Sequence, residues 1–580
     1  MLKTPLNLVV LLSVLTATFH IVKAEVHAQE ASEQPIIRSI NIQIRDVFEG
    51  ENLPAAYDFA NSIKITTKQS IIKRELLFKE GEPFDQFLIE SSERNLRSLG
   101  FLHRVSITPS FEENFVDIEI IVQDTWTLVP LLNLTSGSGS GDKLSVGVAE
   151  GNILGFGKRV ELKYSERDET EEIQAIWEDR RLLGTNARLL GGYFDREDGF
   201  DTFGRINYPF RGLAQKKAWS ISINDSDTVG SLFEAGDERF VFSTQSTNAN
   251  LSYTWAHGDP DKLIHRITAG YRYNDDRFFE ATEQDFDAID VDPTTIDQEL
   301  DLLAENRRFS APFIGYERIV SDFYSVNYID RFERVEDFNL GLTWRAQLGF
   351  AAEAIGSQED TLLIDTGVTK GWRLDNQSFI RAEASIASRF AGKDFNNTFG
   401  HLEFKYYNPL DDLVIFGQNF GNHTLAIGST LDVGHRLDLD NEFLLGANNG
   451  LRGFDAGTFS GDRRFTFNIE DRVHIFDDLW QLVSVGAATF LDLGGTSNGG
   501  IGTIFTEDLF ADVGVGLRLN FPRSSSGKVL RFDLAFPLRD GPDGSNSFEV
   551  RLVLTANQIF SARTRSELSG STRSVVDFGL

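Results

Sequence analysis

The residues whose types and spacing best suggest a chemical role are one arginine and two acids in the last quarter of the chain. Arg452 lies in the stretch Leu451-Arg-Gly-Phe454, and Glu470 and Asp492 each lie in a later segment that alternates apolar and polar residues. Because successive strand side chains point to opposite faces, both acids are predicted on the inward faces of two neighbouring strands. A guanidinium has a planar fork that bridges carboxylates in a fixed geometry. The spacing therefore predicts that Arg452 folds back and pairs with both acids.

The surroundings of Arg452 indicate a conformational role for it, not a catalytic one. Gly453 is expected to let the backbone turn sharply beside the arginine, since glycine lacks a Cβ. The nine histidines are scattered, and the chain has neither a His-Glu-x-x-His motif nor a Gly-x-Ser-x-Gly elbow. We therefore predict a protein that is not an enzyme, with no catalytic residue, cofactor or metal ion. The alternative interpretation of the arginine stretch is an ordinary turn with incidental surface charges.

A second charged region, residues 280–305, contains ten acidic residues and no Lys or Arg. The spacing of Asp285, Asp287, Asp290 and Asp292 suggests divalent-cation binding, but it lacks the glycine and terminal glutamate of a calcium loop. A solvated extracellular loop is the preferred interpretation.

The composition indicates a secreted β protein embedded in a membrane. The chain has 580 residues, enough for two or more folding units, and contains 48 Phe and 50 Gly in short alternating segments. Because there is no Cys, disulfides and a thiol nucleophile are excluded. A net charge of −31 argues against a nucleic-acid partner, since no basic surplus is present to neutralise phosphates.

Residues 1–28 are predicted to be a signal peptide. Lys3 supplies a positive end, residues 6–22 form an apolar run, and cleavage is predicted after Ala24 or Ala28, which the pattern does not separate. The alternative is an uncleaved anchor helix, although the run is short for a membrane span.

Residues 36–125 are predicted to form a small two-layer α+β domain. Helices are expected at Lys68–Phe78, with Thr67 as its cap, and at Asp85–Leu99. The predicted strands are Ile36–Ile44, Phe101–Pro109 and Phe115–Gln123.

Two stretches of this domain resemble a known family. Glu75-Leu-Leu-Phe-Lys-Glu-Gly-Glu-Pro-Phe84 and Arg94-Asn-Leu-Arg-Ser-Leu-Gly-Phe-Leu102 are similar to a POTRA domain, the periplasmic module that precedes barrels of the BamA/TamA (bacterial surface antigen) superfamily. We find one such unit, because no room is left for a second before residue 126. The alternative is an unrelated small α+β domain.

Alternating segments from residue 126 to about residue 560 are similar to the barrel of the same superfamily. Glu150-Gly-Asn-Ile-Leu-Gly-Phe-Gly157 resembles a turn between its early strands, and Asp533-Leu-Ala-Phe-Pro537 resembles the end of a late strand. We place five strands after the Arg452 loop. The predicted fold is a membrane β-barrel of about sixteen antiparallel strands, preceded by one POTRA-like periplasmic domain and followed by a polar tail at residues 561–580. The total of sixteen is what the resemblance implies.

The resemblance also implies roles for individual residues. In the family, the arginine of a Val/Leu/Ile-Arg-Gly-Phe/Tyr loop folds into the lumen and pairs with acids on the next two strands; here these are Arg452, Glu470 and Asp492. The stretch Phe490-Leu-Asp-Leu-Gly494 matches the family's Phe-x-Asp-x-Gly pattern. Together these matches predict a loop locked in the barrel lumen.

The first barrel strand, about Thr127–Ser136, contains Pro130, which cannot donate to a strand ladder. Weak pairing between the first and last strands makes a seam that can open sideways, as family members are thought to do for client strands. Alternatively, Pro130 precedes the strand proper. The last strand, Phe548–Phe560, lacks the glycine that kinks it in relatives, and the chain continues past the aromatic at which many relatives end.

The resemblance implies an outer-membrane protein of a Gram-negative bacterium, with its POTRA domain in the periplasm. We predict an assembly and insertion factor or a translocation factor. Its expected partners are unfolded or partly folded client proteins, outer-membrane lipids and periplasmic accessory proteins. One alternative is a dedicated translocator for one secreted protein, which usually carries two POTRA units and a plug helix. Another is a porin-like or lipid-handling barrel without assembly activity.

Overall fold

The computed structural model describes residues 34–556 except 52, 136–142, 168–169, 295, 297–299, 411, 413, 420, 448 and 526–528. The predicted signal peptide and the predicted tail lie outside the described residues. The described chain forms a small domain followed by one large sheet.

The small domain has three strands and three helices. They are β1 (Ile36–Arg45), α1 (Ala55–Ile63), α2 (Gln69–Glu75), α3 (Gln86–Arg97), β2 (Leu102–Glu112) and β3 (Phe115–Asp124). The sheet has the order β1-β3-β2, with β1 parallel and β2 antiparallel to the central β3. Apolar residues of α2 and α3, such as Ile72 and Leu96, pack with Ile118 and Ile120 of β3 in one core.

Two details of this domain differ from the sequence prediction. The cap of α2 is Lys68 and no side chain caps the helix, so the prediction of Thr67 as its cap is wrong. The Thr67 hydroxyl instead donates to Asp124 (Oγ1–Oδ1 2.6 Å) at the end of β3, which removes it from the helix terminus. The helix α1 was not predicted. It spans 9 residues, fewer than the window of about 11–18 residues in which a helical period is recognised.

The remaining elements follow from residue 128. In chain order they are β4 (Leu128–Thr135), β5 (Lys143–Glu150), β6 (Lys158–Arg167), β7 (Thr170–Asp179), β8 (Arg188–Arg196), β9 (Gly199–Tyr208), β10 (Lys217–Glu234), β11 (Asp237–Asp259), β12 (Leu263–Glu280), α4 (Glu283–Asp287), β13 (Arg307–Val320), β14 (Phe323–Val326), β15 (Glu336–Asn339), β16 (Thr343–Ala351), β17 (Thr361–Arg373), β18 (Phe379–Ala391), β19 (Asp394–Leu410), β20 (Val414–Ile415), β21 (Gln418–Asn419), β22 (Asn422–His435), β23 (Phe443–Leu445), β24 (Phe459–Gly461), β25 (Arg463–Leu479), β26 (Val483–Ser497), α5 (Ile501–Thr506), β27 (Phe510–Asn520), β28 (Val529–Pro537) and β29 (Arg551–Ala556).

Twenty of these strands form one sheet whose order closes on itself. They are β4 to β13, β16 to β19, β22 and β25 to β29, and the last of them, β29, lies beside β4. The predicted total of about sixteen is therefore wrong. Five strands follow the Arg452 loop, as expected. The additional strands therefore lie before that loop, in the part of the barrel whose strand number is implied only by the family resemblance. Closure leaves no unpaired edge, which a sheet in lipid requires.

Side-chain burial alternates along the strands that carry the candidate site. In β25 the even-numbered residues from Arg464 to His474 are buried, whereas the odd-numbered residues between them are partly exposed. In β26 the same alternation buries Phe490 and Asp492. The buried, mostly polar face is the inner wall of the barrel. None of the helices in the described ranges is long and apolar enough to cross a membrane.

Candidate functional site

The loop between β22 and β25, residues 436–462, folds into the barrel and is called the lock loop below. Its strands β23 and β24 pair with each other, and its residues Leu451, Arg452 and Phe454 are completely buried. The Phe454 ring meets Phe459 and Phe510 edge-on, with ring centroids 5.2 and 5.5 Å apart. This aromatic cluster joins the loop to β27 and holds the neighbouring arginine against the wall.

Arg452 makes its main contact with Asp492 on β26. Its Nε donates to Asp492 Oδ2 at 2.7 Å and its Nη2 donates to Asp492 Oδ1 at 2.8 Å, a two-pronged pairing. The guanidinium also lies over the Phe490 ring, 3.4 Å from the centroid. Phe490 and Asp492 are two residues apart on one strand, so both reach the same guanidinium from the same wall.

Glu470, the second predicted partner, lies beside the arginine but is hydrogen-bonded elsewhere. The nearest approach is 3.9 Å between Arg452 Nη1 and Glu470 Oε2, which is an ion-pair distance. Arg518 on β27 donates to Glu470 Oε1 at 2.7 Å, and Arg472 on β25 lies 3.7 Å from its other oxygen. The structure therefore brings the three predicted residues together. Both hydrogen bonds of Arg452 described above go to Asp492, while Glu470 lies within ion-pair distance of three arginines.

Three further residues belong to this network and were not predicted as partners of Arg452, although Asp533 opens the late-strand motif quoted from the sequence. Arg452 Nη1 donates to Asp533 Oδ2 on β28 at 3.3 Å, and Arg518 pairs with the other oxygen of Asp533. Asp512 on β27 accepts the backbone N–H of Gly453 at 2.9 Å. All three alternate with apolar neighbours along their strands, so the two-residue period that identified Asp492 was the signal that could have found them.

Two glycines of the matched motifs lie where there is no space for a side chain. A Cβ on Gly453 would come within 2.6 Å of Asp512 Cβ, while its backbone φ is not in the left-handed region. Glycine is thus needed at position 453 because the backbone approaches β27 closely. The sharp turn that the sequence predicts there is not the reason. A Cβ on Gly494 would come within 2.9 Å of the Phe465 carbonyl and 3.0 Å of Leu445 in the lock loop.

A second insertion fills the other end of the barrel. Residues 321–342, between β13 and β16, contain the hairpin β14–β15 and are called the mouth segment below. Its apolar residues Ile329, Phe338 and Leu340 pack with Phe379 and Tyr407 on the inner faces of β18 and β19. The mouth segment therefore leaves the wall at β13 and packs inside the barrel against strands three and four places further along the ring.

Further along the ring, the mouth segment is held by an arginine of β25. Arg472 Nη1 donates to the Ile329 carbonyl at 2.7 Å and lies 3.5 Å from Asp330. The Phe332 ring meets His474 edge-on, with ring centroids 4.7 Å apart. Since Arg472 also borders Glu470, the mouth segment and the lock loop are anchored to neighbouring positions of one strand.

The same segment contacts the small domain. Arg97 of α3 makes two hydrogen bonds to Asp337, at 2.9 and 2.7 Å, and Arg334 donates to the Arg97 carbonyl at 2.7 Å. His103 of β2 lies 3.8 Å from Glu333. The mouth segment thus lies between the lumen and the small domain.

The turns of the barrel also hold the small domain. The Glu75 carboxylate of α2 forms ion pairs with Arg181 of the β7–β8 turn (2.9 Å) and with Arg211 of the β9–β10 turn (2.8 Å). Burial raises the pKa of the Glu75 carboxyl, and the guanidinium of Arg181 opposes that shift. Asn152 of the β5–β6 turn donates to the Thr67 hydroxyl at 2.7 Å. These turns all lie at one end of the barrel, so the domain sits beneath its mouth.

Pro130 is the third residue of β4, opposite Val148 of β5. It therefore lies within the strand, and the alternative that it precedes the strand is wrong. The other neighbour of β4 in the ring is β29, where the chain's first and last barrel strands meet. The structure describes β29 from Arg551 to Ala556, and the rest of the predicted last strand, residues 557–560, lies outside the described residues.

The described ranges contain no group of three or more His, Asp or Glu side chains placed to hold a metal ion. In the acidic region, Glu283–Asp287 forms the short helix α4, whose start is closed by a reciprocal pair between Thr282 and Asp285. Asp285 is thereby engaged as a helix cap.

Two family models match this chain. The POTRA model, described as a surface antigen variable number repeat, matches residues 58–124. The Omp85 superfamily domain matches residues 152–555, more than half of the chain. No curated protein matches it.

The solved structures that match this chain share little sequence with it. It is similar to CdiB from Acinetobacter baumannii at 13% identity and a TM-score of 0.46, covering 90% of this chain and 74% of that one. It is similar to BamA from Haemophilus ducreyi lacking POTRA domains 1–3 at 14% identity and a TM-score of 0.35, covering 91% of this chain and 85% of that one.

Proposed function

We propose that this chain, which belongs to the Omp85 superfamily, inserts client proteins into the outer membrane of a Gram-negative bacterium. The family has an insertion or translocation role at that membrane, with the POTRA domain on the periplasmic side. Of these two roles, we propose insertion as the more specific function of this chain. Its expected partners are unfolded client proteins, the surrounding lipids and periplasmic accessory proteins.

The observation that carries this proposal is a lumen occupied from both ends. The lock loop enters from the extracellular end and the mouth segment from the periplasmic end. Both are held inside the barrel by a buried arginine, Arg452 of the loop itself and Arg472 of the wall. A passive porin needs a continuous aqueous path through its barrel. A filled lumen favours a route along the wall, where client strands pair with barrel strands.

The seam between β4 and β29 is the proposed exit. Pro130 has no backbone N–H, so β4 has one ladder donor fewer for its neighbours. The lock loop is anchored to β26, β27 and β28, the strands that lead to β29 around the ring. We expect the buried arginine pairs to keep these strands in register while the seam opens.

A deletion strain tests the proposal against its rivals. We would measure the outer-membrane proteome, the secreted proteins and the outer-membrane lipid content, with the wild-type chain restored as the control. Insertion predicts a loss of several barrel proteins. Loss of one secreted protein alone would instead identify a dedicated translocator, and altered lipids alone a lipid-handling barrel.

A further inference from the structure

The helix α1 of the POTRA domain turns two large apolar side chains outward. On its inward side, the Tyr57 ring stacks on Phe48, with ring centroids 4.4 Å apart. Asn61 faces the domain, where its side chain donates to the Phe48 carbonyl at 2.9 Å and accepts the Phe48 N–H at 3.2 Å. Phe59 and Ile63, one helical turn apart, are 65% and 54% exposed. A surface helix of a soluble domain has the opposite arrangement, because its apolar stripe faces the core.

The ends of the α1 region are fixed to two turns of the barrel rim. At its start, the Tyr57 hydroxyl donates to the Trp480 carbonyl in the β25–β26 turn at 2.6 Å. Beyond its end, Lys68 N–H donates to the Gly155 carbonyl in the β5–β6 turn at 3.0 Å. In the ring, β27, β28, β29 and β4 lie between these turns. The helix therefore runs along the periplasmic rim beneath the β4–β29 seam.

Exposed apolar side chains continue from the helix onto that rim. Trp480 is 72% exposed at one turn, Leu154 is 58% exposed at the other, and Ile65 just after α1 is 51% exposed. Barrels carry aromatic and apolar side chains in this way at the level where the membrane meets water. An apolar patch of this kind marks a binding surface, and its continuity with the rim of the barrel indicates that lipid covers it.

We propose that α1 is a membrane-interface helix, with Phe59 and Ile63 inserted into the periplasmic leaflet of the outer membrane next to the seam. Its partner is the lipid surface, which receives the apolar side of a helix lying flat in the interface. The inference goes beyond the insertion role and holds equally if the barrel translocates its clients. It implies that the small domain is attached to the bilayer as well as to the barrel.

The absence of Cys makes a direct test straightforward. Phe59→Cys and Ile63→Cys would be labelled with an environment-sensitive fluorophore in the full-length protein, reconstituted into phosphatidylethanolamine/phosphatidylglycerol vesicles. The matched control is Phe111→Cys, since Phe111 is an equally apolar and 58% exposed residue of the same domain. It lies nine residues along β2 from Leu102, the strand's barrel end, which is about 30 Å away.

We expect lipid-borne nitroxide to quench the labels at 59 and 63 at least threefold more than the label at 111, and aqueous iodide to show the reverse order. Equal quenching at all three positions overturns the proposal. Protection of 59 and 63 only after an unfolded outer-membrane protein is added also overturns it, since α1 would then be a client surface. Heat-modifiable migration on gels checks that each variant is folded.

Discussion

The lock loop and the mouth segment enter the same lumen from opposite ends and use opposite chemistry. The lock loop brings the cation, Arg452, to acids on the wall. For the mouth segment the wall supplies the cation, Arg472, and the segment offers a backbone carbonyl at Ile329. The lock loop is held by a network of buried charges. The mouth segment is held by an arginine–carbonyl hydrogen bond, by apolar packing and by one longer ion pair, 3.5 Å between Arg472 and Asp330.

This difference determines how much free energy is lost when each arginine is removed. Loss of Arg452 leaves Asp492 buried beside Asp512 and Asp533 without its cation, and an uncompensated buried charge is expensive. Loss of Arg472 removes the donor to the Ile329 carbonyl, a neutral group with a smaller desolvation penalty, and two longer ion pairs, 3.5 Å to Asp330 and 3.7 Å to Glu470. Glu470 still keeps its 2.7 Å hydrogen bond from Arg518. The lock loop should therefore respond more sharply to substitution than the mouth segment does.

The largest effect is expected from Arg452→Ala. Removing the guanidinium should cost about 3–5 kcal/mol in docking of the lock loop, because its acid partners stay buried. Protease cleavage within residues 436–462 on intact cells would measure the release, together with the outer-membrane proteome. Arg436→Ala is the control in the same loop, since that side chain is 52% exposed and pairs with an exposed Asp394. If both variants behave like the wild type, the buried network does not hold the loop.

Arg472→Ala should loosen the mouth segment with a cost of about 1–3 kcal/mol, because the buried Ile329 carbonyl loses its donor and Asp330 loses an ion pair of 3.5 Å. Single-channel conductance in planar bilayers should rise, because the segment fills the periplasmic mouth. Arg373→Ala is the matched control, as this arginine also bonds the segment, at the Phe323 carbonyl, but is 45% exposed. A conductance unchanged in Arg472→Ala would mean that the segment does not obstruct the pore.

Glu470 offers a test of whether the two insertions are coupled. It lies 3.9 Å from Arg452 and 3.7 Å from Arg472, so each arginine is sensitive to the loss of the other. A double-mutant cycle of Arg452→Ala and Arg472→Ala, measured by urea unfolding in lipid, should show a coupling of about 0.5–1 kcal/mol. In the Glu470→Gln background the coupling should fall towards zero. Additive effects in the original background would show that the two anchors are independent.

A small, pH-dependent effect concerns the contact between the mouth segment and the POTRA domain. Burial lowers the pKa of His103 to about 3, aided by Arg104 of the same strand, Arg523 of the β27–β28 turn and Arg334 of the mouth segment, and opposed by Asp478. Glu333 lies 3.8 Å away. His103 is therefore neutral when folded but gains a proton near pH 6.5 when unfolded, so its contribution is complete above that pH and is lost as the pH falls towards 3.

Melting temperatures at pH 7.5 and 5.5 would measure this contribution, which amounts to about 1 kcal/mol for one pH unit below 6.5. His103→Gln should lose less stability than the wild type over that interval. His435→Gln, at an exposed position, should retain the wild-type profile. Equal losses in all three proteins would show that His103 does not sense pH.

The lock loop could be predicted from the sequence because its partners are local features of regular strands. Alternation placed Glu470 and Asp492 on the inner wall, and Arg452 preceded them on a loop. The mouth segment could not be predicted in this way, since Arg472 binds the carbonyl of a residue 143 positions earlier. A backbone acceptor is present in every residue, so no side-chain pattern marks the one that an arginine will use.

The sequence alone determined the order of the two domains, the inward faces of the strands that carry the lock, and the family resemblance. These depend on alternation and on short motifs, which are properties of neighbouring residues. Only the tertiary structure decided that the ring has twenty strands, that Asp492 takes both prongs of Arg452, that residues 321–342 fill the mouth and that α1 turns its apolar side outward. Each of these depends on ring closure or on contacts between distant segments, and no local pattern contains that information.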